Sequence, residues 1–353
     1  MPRHTIAAVI RNGIANDATT EAILAQVYAD FPAAQTDERD VAFYRWQTRR
    51  NAARAAGEFS SVRATPTTRV QTASDETFDP AMLDPTRRFG IEFEFMGNEV
   101  SMADYGIAIR DALAAVNGDR RDDSRVSVRR DYFHSDGSTW DLKTDSTCEY
   151  ELATPALTAA DWPKVVAVAE ALRRRGATVS VRCGTHVHHD ANDLTSRGLR
   201  SLVRLWGAFD EPIHEALPES RRSNTYAARF PVATAERIAA MPGYAFRREI
   251  QRVNRYTSLN ATGWWRNGRV EVRSHHGTLD AAKIGFWIVM AQKVIARAKT
   301  GRLDALVAGV AGARDRFARF ARVVGTEVGA VFAGWMRERN RPYWLQMTER
   351  QAA

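Results

Sequence analysis

Four short stretches of the chain alternate apolar and polar residues with the period of a half-buried strand. Arg88 to Phe95 sets Ile91, Phe93 and Phe95 on one face and Glu92 and Glu94 on the other. Cys148 to Pro155 carries Glu149 and Glu151 on a shared face and is stopped by Pro155. Thr178 to Cys183 is read as a strand that continues after Gly184 as Thr185 to Asp190, with His186 and His188 on one face. Arg269 to His276 opposes Val270 and Val272 to Arg269, Glu271 and Arg273, with Arg269 expected in solvent. Asn267-Gly268 just before it predicts a two-residue type I′ hairpin turn, whose first strand follows Asn254 to Asn260. Trp140 to Ser146 reads as a further strand and turn.

Helical periodicity fills the intervals. It predicts helices over Met102 to Val116, Thr158 to Arg175 (ended by Gly176), Thr195 to Ala216 and Ala233 to Met241. Another starts after Asp280, and one or two more occupy Leu303 to Arg339. Asp119 to Arg130 is highly charged and reads as an exposed loop. Half-buried strands of this kind pair into a curved, largely antiparallel sheet, so 87–353 reads as an α+β domain. Near the N-terminus, Thr19-Thr20-Glu21 caps a helix that Phe31-Pro32 ends. A second helix is expected from Thr36, with Arg45, Arg49, Arg50 and Arg54 on one face. Residues 1–56 are thus a small helical module, resembling a helix-turn-helix, and 57–86, rich in Ser, Thr and Pro, are a linker.

Composition changes this picture little. No window approaches the apolar run of about 18 residues that a membrane span needs, and no signal peptide is evident. Two cysteines, Cys148 and Cys183, are too few for a disulfide framework, so both read as reduced and the compartment as cytoplasmic. Cys148 reads as a packed thiol or a site residue. The net charge of +8 suits a polyanionic partner, nucleic acid or nucleotide, without selecting one. The sequence carries no code for oligomeric state.

Candidate chemistry comes from the paired positions. Each E-x-E taken alone is commonly a solvated strand face. Four paired strands whose opposite faces are apolar can instead line one concavity. Two unit charges about 4 Å apart repel by roughly 4 kcal/mol at an effective dielectric of 20, so converging carboxylates need compensation. Oxygen-rich sites with one imidazole suit Mg²⁺ or Mn²⁺, and arginines hold phosphate or carboxylate bidentately. Two other readings remain open here. His186-Val187-His188-His189-Asp190 is similar in outline to the metal element of a metal-dependent hydrolase, although Ala191 breaks the pattern. The basic N-terminal helix would suit a nucleic-acid-binding protein or a protein partner, but inward-facing acids do not.

The order GIEFEF, Trp140 with Asp145-Ser146, Glu151 to Pro155, GTHVHHD, Asn254-Arg255 and RVEVRSHHGTLD with Trp287 resembles the amidoligases, the phage and bacterial branch of the glutamine synthetase-like carboxylate–amine ligases. The resemblance covers about Phe89 to Trp287. It implies a curved antiparallel sheet forming a funnel with helices outside, and ATP-dependent amide-bond formation between a carboxylate and an amine. It further implies two metal ions, Mg²⁺ or Mn²⁺, held by Glu92, Glu94, Glu149, Glu151, His186 and Glu271. His188 is implied near the nucleotide, Arg273 on the substrate carboxylate or transferred phosphate, and Arg222 and Arg255 on phosphates. Catalytic roles fall to Arg273, Glu271 and Glu151.

Overall fold

The computed structural model describes residues 6–32, five positions between 38 and 48, and 77–118, 125–129, 137–222, 224–301, 303–307 and 313–339. Its contacts divide the chain into two compact units, Met1–Pro66 and Thr67–Ala353. Much of the expected second N-terminal helix, including Arg49, Arg50 and Arg54, lies outside the described residues, as does linker segment 57–76.

In the first unit, α1 (Ile6–Ala15) and α2 (Thr20–Asp30) bury Ile10, Ile23 and Val27 together. The Thr19 hydroxyl accepts the Ala22 N–H at 3.2 Å, the expected cap. Helix α1 falls within the expected helical module, ahead of the two helices expected there.

The second unit is built on β1 (Phe89–Phe95), β2 (Val126–Arg129), β3 (Trp140–Thr144), β4 (Tyr150–Ala153), β5 (Gly184–Asp190), β6 (Leu259–Asn260) and β7 (Arg269–His276). They form one curved, open sheet in the order β2-β3-β4-β1-β5-β7-β6, antiparallel except for β2 beside β3. The class is α+β, as expected. Ile91, Phe93, Phe95, Leu142, Leu152, Val187, Val270 and Val272 are buried in one continuous core. That core includes the apolar stripes of α3 (Met102–Asn117), α4 (Trp162–Arg174), α5 (Ser196–Glu215), α6 (Val232–Ala240), α7 (Gly243–Arg252) and, past the short helix below, α9 (Ala281–Lys299). Ser101, Thr195 and Asp280 cap α3, α5 and α9 through their side chains. Burying one such Phe or Ile contributes about 1.5–3 kcal/mol, so the alternation is enforced strand by strand.

Three expectations are corrected. Asn267-Gly268 does not close a two-residue hairpin. Asn267 ends a short helix, α8 (Trp264–Asn267), and Gly268 at φ +65° donates its N–H to Trp264 O at 2.8 Å. The left-handed glycine is a helix cap, and a Cβ there would lie 1.5 Å from Asn192 Oδ1. Thr178–Cys183 is not a strand: Thr178 makes one bridge to Met96, and Cys183 donates to Ser180 O, closing a turn with Val181 exposed. Finally, Val126–Arg129 within the expected loop is β2, with Val126 buried opposite Trp140. Beyond α9 lie α10 (Asp304–Val307), α11 (Ala313–Val324) and α12 (Thr326–Glu338). Among the described residues no helix is long and apolar enough to cross a membrane.

Candidate active site

The sheet register stacks the polar positions into three rows on the face opposite the core. Lys143, Glu151 and Glu94 make the first row. Asp141, Ala153, Glu92 and His186 make the second. Gly90, His188, Glu271 and Asn260 make the third. Directly opposed side chains start about 4.5–5.5 Å apart, so strands distant in sequence converge here. Ala153 and Gly90 leave room in their rows. A cavity of about 550 Å³ opens above them, walled by Glu92, Lys143, His188, Asn260 and Glu271. The exposed arginines Arg88, Arg255, Arg266 and Arg269 also line it.

His186 is the centre of the cluster. The β5–β7 register shifts between Thr185 and Val187, which pair with His275 and Val272, so His186 faces both Arg273 and Ser274. Such a bulge re-aims side chains. His186 Nδ1 lies 2.9 Å from Glu92 Oε2 and 3.9 Å from Glu271 Oε1, and Nε2 lies 3.7 Å from Glu94 Oε1. His188 Nε2 is 3.0 Å from Glu92 Oε1. Glu271 accepts from Asn260 Nδ2 at 2.8 Å and from the Arg273 guanidinium. Glu94 accepts the Gly184 N–H at 2.5 Å. Glu151 pairs with Lys143 Nζ at 2.9 Å.

Two sequence-chosen residues stand apart from this group. Glu149 sits just before β4, and its carboxylate accepts the Gly97 N–H at 2.5 Å. Arg222 does not line the cavity and pairs instead with Glu215 at the end of α5. Its neighbour Arg221 is buried and donates to Cys183 O. A Cβ on Gly184 would lie 3.3 Å from both Arg221 and Glu94, so guanidinium and carboxylate share that corner. Arg273 is buried, donates through Nε to Tyr226 O at 3.3 Å, and lies 5.5 Å from the centre of the Tyr256 ring. Arg255 lies at the same distance from that ring, on the cavity wall. Cys148 is a packed thiol: it is buried, donates to Tyr150 O, and burial pushes its pKa well up.

The charges are strongly coupled. Burial works against an ionised Glu92, but the His188 charge and the hydrogen bonds from His186 and His188 outweigh it and hold the carboxyl well below its usual range. Burial also works against a charged His188, but the charge and hydrogen bond of Glu92, then Glu271, push it up to about 9. Glu151 is pushed up to about 8, first by burial and then by repulsion from Glu92, with Lys143 opposing. His189 belongs to the other face. It is fully buried, its ring nitrogens find no partner among the described residues, and burial, then Arg87, lowers its pKa to about 3. Asp190 pairs with Arg88. The HxHHD element thus splits between two faces and does not gather as one ligand set.

Glu92, His186 and Glu271 each offer an atom within 4.8 Å of the others. Two carboxylates and an imidazole suit a hard divalent ion such as Mg²⁺ or Mn²⁺. Fold and site together define an α+β protein with an acidic, arginine-walled cleft on one sheet face. A family model described as putative amidoligase enzyme matches residues 85–295, and the chain belongs to that family. The match runs from before β1 into α9 and so contains every residue of the cluster. Comparison with curated proteins returns no match.

The sequence reading missed Lys143, Asp141, Asn260 and Arg221. The first two had a signal: Trp140-Asp141-Leu142-Lys143 alternates like the four marked strands. Asn260 and Arg221 sit at the end of a two-residue strand and in a 3-10 turn, where periodicity says nothing.

Proposed function

We propose that the chain is an ATP-dependent carboxylate–amine ligase that forms an amide bond through an acyl phosphate. The observation that carries this reading is the convergence of Glu92, His186 and Glu271 beside the buried Arg273, in a member of the amidoligase family. In this reaction a carboxylate oxygen attacks the γ-phosphorus and the bond to the ADP oxygen breaks. The amine nitrogen then attacks the acyl carbon, and inorganic phosphate leaves. The difficulty is holding two anions against each other while charge moves between them.

The positions of the residues support a role for each. Glu92, His186 and Glu271 would hold a divalent cation, Mg²⁺ or Mn²⁺, whose chemistry is to neutralise charge on the phosphates. Arg273, fixed by Glu271 and Tyr226 O, lies beside the donor group and suits the substrate carboxylate or the passing phosphoryl group. His188 and Arg255, both on the cavity wall, suit the nucleotide. The anion-holding role expected of Arg222 passes to Arg221, which reaches the corner beside Glu94. The attacking ammonium must lose a proton. Glu151 lies in the first row beside Lys143 and Glu94, and its raised pKa makes it the carboxyl of the site suited to exchange that proton.

The test is ADP release from ATP and Mg²⁺ across a panel of amino acids, peptides and polyamines. Release should require both a carboxylate and an amine, and hydroxylamine should trap the activated acyl group as a hydroxamate. ADP release indifferent to both substrates, or amide hydrolysis without nucleotide, would overturn the ligase reading. In the same assay Arg222→Ala should stay within a few-fold of wild type, because its partner Glu215 stands outside the cavity wall. Arg221→Ala should slow turnover roughly 10²-fold, the loss typical of one charge-stabilising donor. Equal losses in the two variants would remove the assignment to Arg221.

A further inference from the structure

We propose that the ammonium of Lys143 stands where a second divalent cation would otherwise sit, so that the apo chain binds a single metal ion and supplies the other positive charge itself. The inference rests on the ligase reading for the first cation, and extends it to the number of ions the site admits.

Three observations carry it. Lys143 is only 5% exposed, yet it forms part of the cavity wall together with Glu92 and Glu271. A lysine so deeply buried is rare unless it is paired. Its partner is a site carboxylate: Nζ lies 2.9 Å from Glu151 Oε1. The register then sets Glu151 directly across from Glu94, so lysine and two carboxylates share one row of the sheet.

The acids sort accordingly. Glu92, His186 and Glu271 form one compact donor group. Of the other carboxylates expected to serve a second ion, Glu149 holds the Gly97 N–H, Glu94 holds the Gly184 N–H, and Glu151 holds the ammonium. An ion bound to Glu151 would meet the Lys143 charge at close range in a desolvated wall, where like charges repel strongly. Lysine also fits the role of a second cation. It is a compact point charge whose ammonium is already paired to Glu151, and phosphoryl oxygens accept hydrogen bonds from ammonium groups well. A built-in charge differs from an ion in one measurable way, because it does not exchange with the medium.

The experiment titrates the full chain with Mn²⁺ in the absence of nucleotide and counts bound ions from the paramagnetic resonance signal of the free metal. Wild type and Lys143→Arg should each bind one ion per chain. Lys143→Ala, which leaves Glu151 without its ammonium, should bind two. Circular dichroism verifies that each variant is folded. Should Lys143→Ala fail to fold, Lys143→Gln keeps the stem and loses the charge, and it too should bind two. Two ions in wild type, or one ion in the folded neutral variant, would overturn the role of Lys143 and leave the ligase reading intact. No ion in wild type would instead count against the metal itself, and against that reading with it.

Discussion

Glu92→Gln and Glu271→Gln are each expected to lower ADP release by roughly 10³-fold or more, because each removes a charge from the only compact donor group found among the described residues. The amide is chosen over alanine for a physical reason. Glu271 is the carboxylate partner of the buried Arg273 and accepts from Asn260, so truncation would leave a buried guanidinium unpaired and confuse activity with folding. Glutamine keeps the volume and an acceptor while removing the charge. The same logic separates the expected ligands from one another. Glu149→Gln should retain activity within a few-fold, since its carboxylate turns to the Gly97 N–H. Measured with ATP and Mg²⁺ on folded protein, a Glu271→Gln activity within tenfold of wild type would count against Glu271 as a metal ligand.

The parts of the site legible in the sequence are those governed by a period of two. In β1, β5 and β7 the apolar partners fix which face each acid and imidazole occupies, and a slip of one residue would turn all of them over. That is why Glu92, Glu94, His186, His188, Glu271 and Arg273 could be set on one face from the sequence, as the register has them. The parts that stayed illegible depend on irregular backbone. The bulge at His186 comes from pairing, in which one residue of β5 opposes Arg273 and Ser274 of β7. The choice between Arg221 and Arg222 is made by a 3-10 turn after Pro218, which aims one inward and the other at Glu215. Asn267-Gly268 carries the residues of a hairpin turn, but the preceding tryptophans wind into helix, and the glycine's left-handed conformation serves as a cap. Thr178 to Cys183 misled for a related reason: Val179 and Cys183 are buried, as in a strand, while the backbone between them turns. Glu149 illustrates the limit of alternation. It has the parity of a site residue, but the strand starts one residue later and its side chain is spent on Gly97.

Asp210→Ala is expected to destabilise the second unit by about 3 kcal/mol, the scale for removing one partner from a buried charged network. Asp210 lies on α5, is 1% exposed, and is remote in sequence from every acid of the site. Its Oδ1 accepts the Phe230 N–H at 2.8 Å and the Ser258 hydroxyl at 3.1 Å, and Oδ2 accepts from Arg229 Nε at 2.8 Å. Trp206 Nε1 donates to the same Ser258 hydroxyl at 3.0 Å. Ser258 in turn offers its carbonyl to the Arg273 N–H at 3.0 Å. One carboxylate on the helical layer therefore fixes the segment that leads into β6 and, through it, the backbone that carries Arg273 and faces Glu271. Burial pushes the Asp210 pKa up, but the hydrogen bond and charge of His214, the Phe230 N–H and Arg229 outweigh it and leave the group below its usual range. The folded-state pKa is thus lower than the unfolded value of about 3.9. The contribution is fully present above that unfolded value and is lost as pH falls through the folded one. Urea unfolding followed across pH should show wild type losing stability on the acid side. Asp210→Asn, already without the charge, should be less stable at neutral pH and should lose less on acidification. A neutral-pH difference below about 1 kcal/mol for Asp210→Ala, or an unchanged acid limb in Asp210→Asn, would show that the network does not hold this segment. Because Arg273 depends on that segment through a backbone hydrogen bond, the same variants should lose turnover even at urea concentrations where they remain folded.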